Sequence, residues 1–262
     1  MSLHLRIRAA AKAALFHFLG SILVATAAAV LVFLVWYPHP YGHLSGGGKL
    51  FLILVAVDVV CGPLLTFVLF NPKKPRRELV TDMSLVVLIQ LAALAYGIHT
   101  MYQARPLFLV HEVDRFRVIS LPDYNGEDVS RELSALAPDI RPRWTGGPVI
   151  VGIRSPVSND ERKEVMLDSV FGGRDYSQRP EFYIPYDSAY QPKALARAKP
   201  LKAFTDHYPE AGAEAADLLK RADVPLEQAR FLPVLHKQEW VAVMDAQARI
   251  IGFLPGDGFS VP

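Results

Sequence analysis

At 262 residues the chain has room for one ordinary domain plus a small membrane bundle, and 51% apolar residues with a mean hydropathy of +0.20 exclude a wholly polar or disordered chain. The formal charge of +2 is unevenly split, because residues 1–101 hold eight Lys/Arg against three acids and residues 102–262 hold 20 against 23. The C-terminal part therefore lacks the clustered basic run of a nucleic-acid partner, and the lone cysteine, Cys61, excludes an intramolecular disulfide or a thiolate zinc site.

In chain order, residues 1–12 carry Arg6, Arg8 and Lys12 and read as a short cytoplasmic N-terminus. A three-helix transmembrane region over 13–101 follows, with spans at 13–37, 50–70 and 83–101, since crossing about 30 Å of hydrocarbon takes about 20 apolar residues. The first run far exceeds the roughly 7–15 residues of a signal-peptide core, so it reads as a retained anchor. Trp36, Tyr37 and Tyr102 mark interfaces. The connection between spans two and three carries Lys73, Lys74, Arg76 and Arg77, whereas the first connection carries only Lys49. The excess of positive charge places the N-terminus and the second loop in the cytoplasm. With three spans, the domain at 102–262 is then periplasmic.

Asp58 lies near the middle of span two, where a carboxylate costs about 2.5–3.5 kcal/mol on insertion scales and faces protein or trapped water. Spacing puts Asp58, Cys61, Gly62 and Thr66 on one helical face, and Pro63 removes a backbone donor just beyond. Asp58 is 12 residues from Phe70 and Tyr96 is 13 from Met83, so antiparallel spans bring those two to similar depth, within reach of a hydrogen bond. Thr26 is an alternative partner. Gln90, Ala93 and Gly97 form a second stripe, and Ser21, Ala25, Ala28 and Ala29 a small-residue surface on span one. Two accounts stay open: Asp58 locks the bundle internally, or the surface formed by Asp58, Gly62, Thr66, Gln90, Ala93, Tyr96 and Gly97 receives a partner's transmembrane helix.

Beyond Pro106, PLFLVHEV and RFRVISL read as strands separated by Asp114, followed by a helix from Glu127 to Leu136 and a strand at 148–154. Ser158, Asn159 and Asp160 offer N-caps to a helix that closes on Gly172 and Gly173. Residues 176–200 read as an ordered loop with a short helix at 192–198. A helix at 210–221 and strands FLPVLHK, WVAVMDA and ARIIGFL, the last two a hairpin, complete an α+β domain with an antiparallel sheet.

Common catalytic motifs are absent, and no cofactor is expected. His39 and His43 are poor metal ligands because Pro40 breaks the helix that would align them. An aspartyl dyad fails too, since Asp58 lies about 18 Å deeper than Asp82 at 1.5 Å per residue. His111, His207 and His236 read as structural histidines.

The ordered series Asp58, Gly62-Pro63-Leu64-Leu65-Thr66, Asn71-Pro72-Lys73-Lys74, Asp82, Gln90, Tyr96-Gly97 and Arg105-Pro106 resembles the type IV pilin accessory proteins of the TfpX/TfpZ kind, closely over residues 10–120 and more loosely beyond. The resemblance implies an inner-membrane protein of a Gram-negative bacterium that assists type IV pilus assembly, with the major pilin or another assembly component as partner alongside the lipid bilayer, and it carries over no catalytic residue. The expected function is therefore non-catalytic: binding and stabilising pilin before polymerisation. The rival is a periplasm-facing enzyme acting on a lipid or peptide.

Overall fold

The structure, a computed structural model, describes residues 3–124 and 128–262, and the chain folds as two compact units. The first comprises the chain up to His39 and Gly47–Gln103; the second comprises Pro40–Gly46 and Ala104–Pro262.

In the first unit, α1 (Leu3–Val30) continues through a wider π-helical stretch, Leu31–Trp36. The short helix α2 (Tyr41–Leu44) belongs to the second unit. The chain then returns through α3 (Gly47–Ala56), π-helical turns at Val57–Cys61 and α4 (Gly62–Leu69), and goes back along α5 (Arg76–Gln103). Three helical stretches, His4–Trp36, Gly47–Leu69 and Arg76–Gln103, are long and apolar enough to cross a membrane. The third begins at Arg76, seven residues before the uncharged run that opens at Met83, because a helix does not end where its apolar face does. At one end of this unit the rings of Trp36 and Tyr102 meet edge to face at 5.2 Å, and Tyr37 Oη donates to the Met101 carbonyl at 3.0 Å.

The second unit holds a mixed sheet. Its strands are β1 (Pro106–Glu112), β2 (Arg115–Ser120), β3 (Val149–Ile153), β4 (Tyr183–Pro185), β5 (Lys199–Pro200), β6 (Arg230–Leu235), β7 (Trp240–Met244) and β8 (Ile250–Pro255). They lie in the order β4-β3-β1-β2-β6-β7-β8, with β5 against β6. The expected antiparallel sheet is thus corrected, since β1 and β3 run parallel, as do β2 and β6. Both parallel pairs join strands whose connection passes through helices: α6 (Val129–Ala135) before β3, and α7 (Asn159–Val170), α8 (Gln191–Leu195), α9 (Leu201–His207) and α10 (Gly212–Ala222) before β6. Such a crossover returns a strand in its original direction, whereas a tight hairpin reverses it. The expected start of α6 at Glu127 lies outside the described residues.

The period-two pattern of the last strands sorts their side chains onto two faces. Phe231, Val241, Val243 and Leu254 pack with Leu201 and Phe204 of α9 and with Ala215, Leu218 and Leu219 of α10. Leu232, Val234, Trp240, Ala242 and Met244 face the other way and are covered by Ala194 of α8 and by Tyr41 and Leu44 of α2. Leu44 is fully buried, and the Tyr41 and Phe253 rings meet at 5.6 Å. The Ser158 hydroxyl caps α7 by accepting from Glu161 N at 3.1 Å, and Gly172 follows with φ +83°, the left-handed turn that suits a glycine. The stretch expected to be a loop contains β4, an edge strand against β3, and α9 follows it.

Candidate functional site

The polar residues of the helical unit gather into a buried seam. Asp58 and Thr66 are buried, and α1 adds Ser21 beside the small residues Ala25, Ala28 and Ala29. His17 of α1 bonds through Nδ1 to Thr66 Oγ1 of α4 at 2.5 Å. Gln90 of α5 donates through Nε2 to the Asp58 carbonyl at 2.9 Å and reaches its carboxylate Oδ1 at 3.4 Å.

This geometry follows from the Gly62-Pro63 pair. In a π-helical frame each N–H serves the carbonyl five residues back, and for residue 63 that carbonyl belongs to Asp58. Proline has no N–H to offer, so the Asp58 carbonyl would be left without that donor. Gln90 supplies the missing donor. Gly62 makes its approach possible, because a Cβ at that position would overlap the Gln90 amide. Gly97 serves in the same way, leaving room for Leu54 of α3.

Of the seven residues singled out in the sequence, Asp58, Gly62, Thr66, Gln90 and Gly97 thus meet neighbours within the chain, and Ala93 is half-buried. Tyr96 differs: it is 75% exposed and does not reach Asp58. Counting depth from Met83 misplaced it, because α5 starts a full two turns earlier and brings Gln90 opposite Asp58. Cys61, expected on the Asp58 face, is exposed, since the wide turns rotate it away while keeping Gly62 inside. His17 went unnoticed in the sequence, although its spacing of four from Ser21 places it on the small-residue face. Asp82 pairs with Lys74 at 2.5 Å.

The second unit adds an exposed apolar surface on α7, the helix expected to close on Gly172 and Gly173. Val165 of α7 is buried, but Met166, Leu167, Val170 and the following Phe171 are exposed, the last at 84%. Val157, just before the helix, is exposed as well.

Residues 5–46 match the family described as fimbrial assembly protein FimB. The chain is 37% identical over 255 residues to the fimbrial assembly protein of serogroup I from Dichelobacter nodosus, covering 96% of this chain and 97% of that protein. It is 36% identical over the same length to the serogroup E1 protein of that organism, with the same coverage. The serogroup C1 and C2 protein is 48% identical over 114 residues, 44% of this chain and 87% of that protein. No solved structure matches.

Proposed function

We propose that this chain, which belongs to the fimbrial assembly protein family, is a non-catalytic assembly factor that binds a type IV pilin subunit in the inner membrane and stabilises it before polymerisation. The observation that carries the reading is the match along nearly the whole length to proteins named for fimbrial assembly.

Three features of the molecule support its membrane placement. The stretches His4–Trp36, Gly47–Leu69 and Arg76–Gln103 suit three crossings. Residues 40–46 share one core with the C-terminal domain, as they must if both stand on the same side of the bilayer after an odd number of crossings. The positive charge of Lys73, Lys74, Arg76 and Arg77, with Arg6, Arg8 and Lys12, supports a cytoplasmic opposite side and a periplasmic domain.

A pilin subunit is itself a single apolar helix bearing a globular head, so a factor that holds it needs one contact in the bilayer and one outside. Tyr96, on the outer side of the Asp58–Gln90 seam, is the intramembrane contact, with Ala93 and Gly97 beside it and Asp58, Gly62, Thr66 and Gln90 fixing the helix that presents it. The exposed apolar surface of α7 is the contact for the head. Photocrosslinking in intact cells from positions 96 and 171 tests this: both sites should capture the major pilin. Capture of another assembly component alone would replace pilin as partner, and capture of no pilus component would end the reading.

A further inference from the structure

The β1–β2 hairpin turns through Val113 and Asp114, and beside that turn a pocket of about 550 Å³ opens in the C-terminal domain. That volume lies in the range of small-molecule sites. Its walls are mainly apolar, with Val113, Ile153, Pro156, Met166, Tyr176 and Tyr190 contributing.

His111 forms part of the same lining and is 2% exposed. Its Nδ1 lies 3.0 Å from Tyr190 Oη, while its Nε2 is buried with no hydrogen-bond partner. Ile153 N donates to Tyr190 Oη at 3.0 Å, and the tyrosine's own hydrogen has two acceptors in reach, His111 Nδ1 at 3.0 Å and the His111 carbonyl at 3.4 Å. Donation along the shorter contact, to Nδ1, puts the ring proton of the neutral imidazole on Nε2 as a donor, and this is the tautomer the proposal below requires. Burial holds this imidazole neutral by pushing its pKa down to about 4. The arrangement is built into the sheet: a Cβ at Gly152 would overlap the Tyr190 ring, so only glycine admits the tyrosine to this place.

Charge supplies the second half of the recognition. Arg154 is neutralised by a two-pronged pair with Glu161, at 2.8 and 3.1 Å. Arg162, Lys193 and Arg197 also line the pocket, and among the described residues none has a carboxylate at ion-pair distance. Against these three cations the lining holds a single carboxylate, Glu112. Apolar walls with two aromatic rings, a net positive rim and a buried N–H donor call for one ligand chemistry.

We propose that this pocket binds a carboxylate carried on an aromatic or other apolar body, the acid being held by Arg162, Lys193, Arg197 and His111 Nε2 and the body lying against Tyr176, Tyr190 and Met166. A free small acid and the C-terminus of a peptide share this chemistry. The site borders the α7 surface assigned above to the pilin head and shares Met166 with it, but His111, Tyr190, Lys193 and Arg197 lie outside that surface, and the proposal does not depend on pilin binding.

The experiment is ligand-observed NMR on the full-length chain in detergent micelles, with N-acetylphenylalanine, a pentapeptide ending in a free phenylalanine, and the amidated form of each. A ligand of this size binds at about the millimolar level. Both acids should bind and both amides at least tenfold more weakly, while binding of N-acetylphenylalanine alone would assign the pocket to small acids. The double variant Arg162→Gln/Arg197→Gln, which alters only exposed side chains, should weaken the acids by a similar factor, and Tyr190→Phe should weaken them further by loosening the imidazole. Acids and amides binding equally, binding unchanged in the double variant, or no binding at several millimolar would each overturn the proposal.

Discussion

The two units place their polar and apolar residues in opposite ways. In the helical unit Leu52, Ile53, Leu64, Leu88 and Leu91 face outward while Asp58, Thr66 and Ser21 are buried; in the C-terminal unit Phe108, Phe231 and Leu232 are buried and, Asp245 aside, the carboxylates among the described residues keep contact with water. The difference is the one expected from the membrane placement proposed for the helical unit. Water drives apolar side chains inward, whereas lipid is as apolar as leucine, so helices in it associate through small residues and hydrogen bonds. Among the departures of the C-terminal unit from its own rule are the unpartnered Nε2 of His111 and the exposed face of α7.

The largest contrast is expected from truncating one apolar residue in each unit. Phe231→Ala removes a fully buried ring packed on Phe204 and should destabilise the C-terminal domain by about 3–5 kcal/mol, read from denaturant melts of the purified protein. Leu64→Ala, on the outward face of α4, should change the stability of the helical unit by well under 1 kcal/mol. Comparable losses from both would break the comparison.

Acid should act on the buried His111. Free histidine titrates near 6.5, whereas folded His111 takes a proton only near 4, so between these values the unfolded chain binds more protons. Stability on this account is unaffected above about pH 7, falls as pH drops through 6.5, and levels off below 4. At pH 5 the loss is about 2 kcal/mol. Asp114 and Lys193 act on His111 in opposite senses, and His236, with its pKa likewise lowered to about 4 by burial, adds a parallel loss. Tm measured from pH 7.5 to 5 should fall less steeply in His111→Phe than in the parent, and parallel curves would remove His111 from the effect.

A smaller effect tests the seam. Gln90→Leu should destabilise the helical unit by about 1 kcal/mol, in line with interhelical hydrogen bonds in membranes. If Gln90 stands in for the N–H that Pro63 lacks, Pro63→Ala restores a backbone donor and should make Gln90→Leu less costly. Additive losses in that double-mutant cycle would separate the two residues.

Much of this was legible in the residues because local chemistry settles it. The hairpin of β1 and β2, the Ser158 cap and the turn before β8 follow from alternation, capping and turn residues within a few positions. The parallel pairings were not, since they depend on where a helical crossover returns the chain. Asp58 stood out as a lone carboxylate in an apolar stretch, but its partner was hidden by two non-local facts, the start of α5 at Arg76 and the widened turns around Asp58. The apolar spacing of α7 matched a core helix, and nothing local tells a face that meets its own domain from one that meets another protein.

That exposed face gives the smallest expected change in stability. Met166, Val170 and Phe171 make a continuous apolar surface on a helix already anchored from the other side by Val165 and capped by Ser158. Phe171→Ser and Val170→Ser remove no buried contact, so the domain's midpoint of unfolding should shift by less than about 0.5 kcal/mol. Solubility of the isolated protein should hold or improve, because an apolar patch in water favours self-association. Piliation should drop at unchanged protein level if this face receives a pilin head, while Leu235→Ser, on β6, should leave it intact. A normal pilus count in the α7 variants would leave the helical unit to carry recognition by itself. An equal drop in both would mean that surface polarity, rather than this face, is what assembly senses.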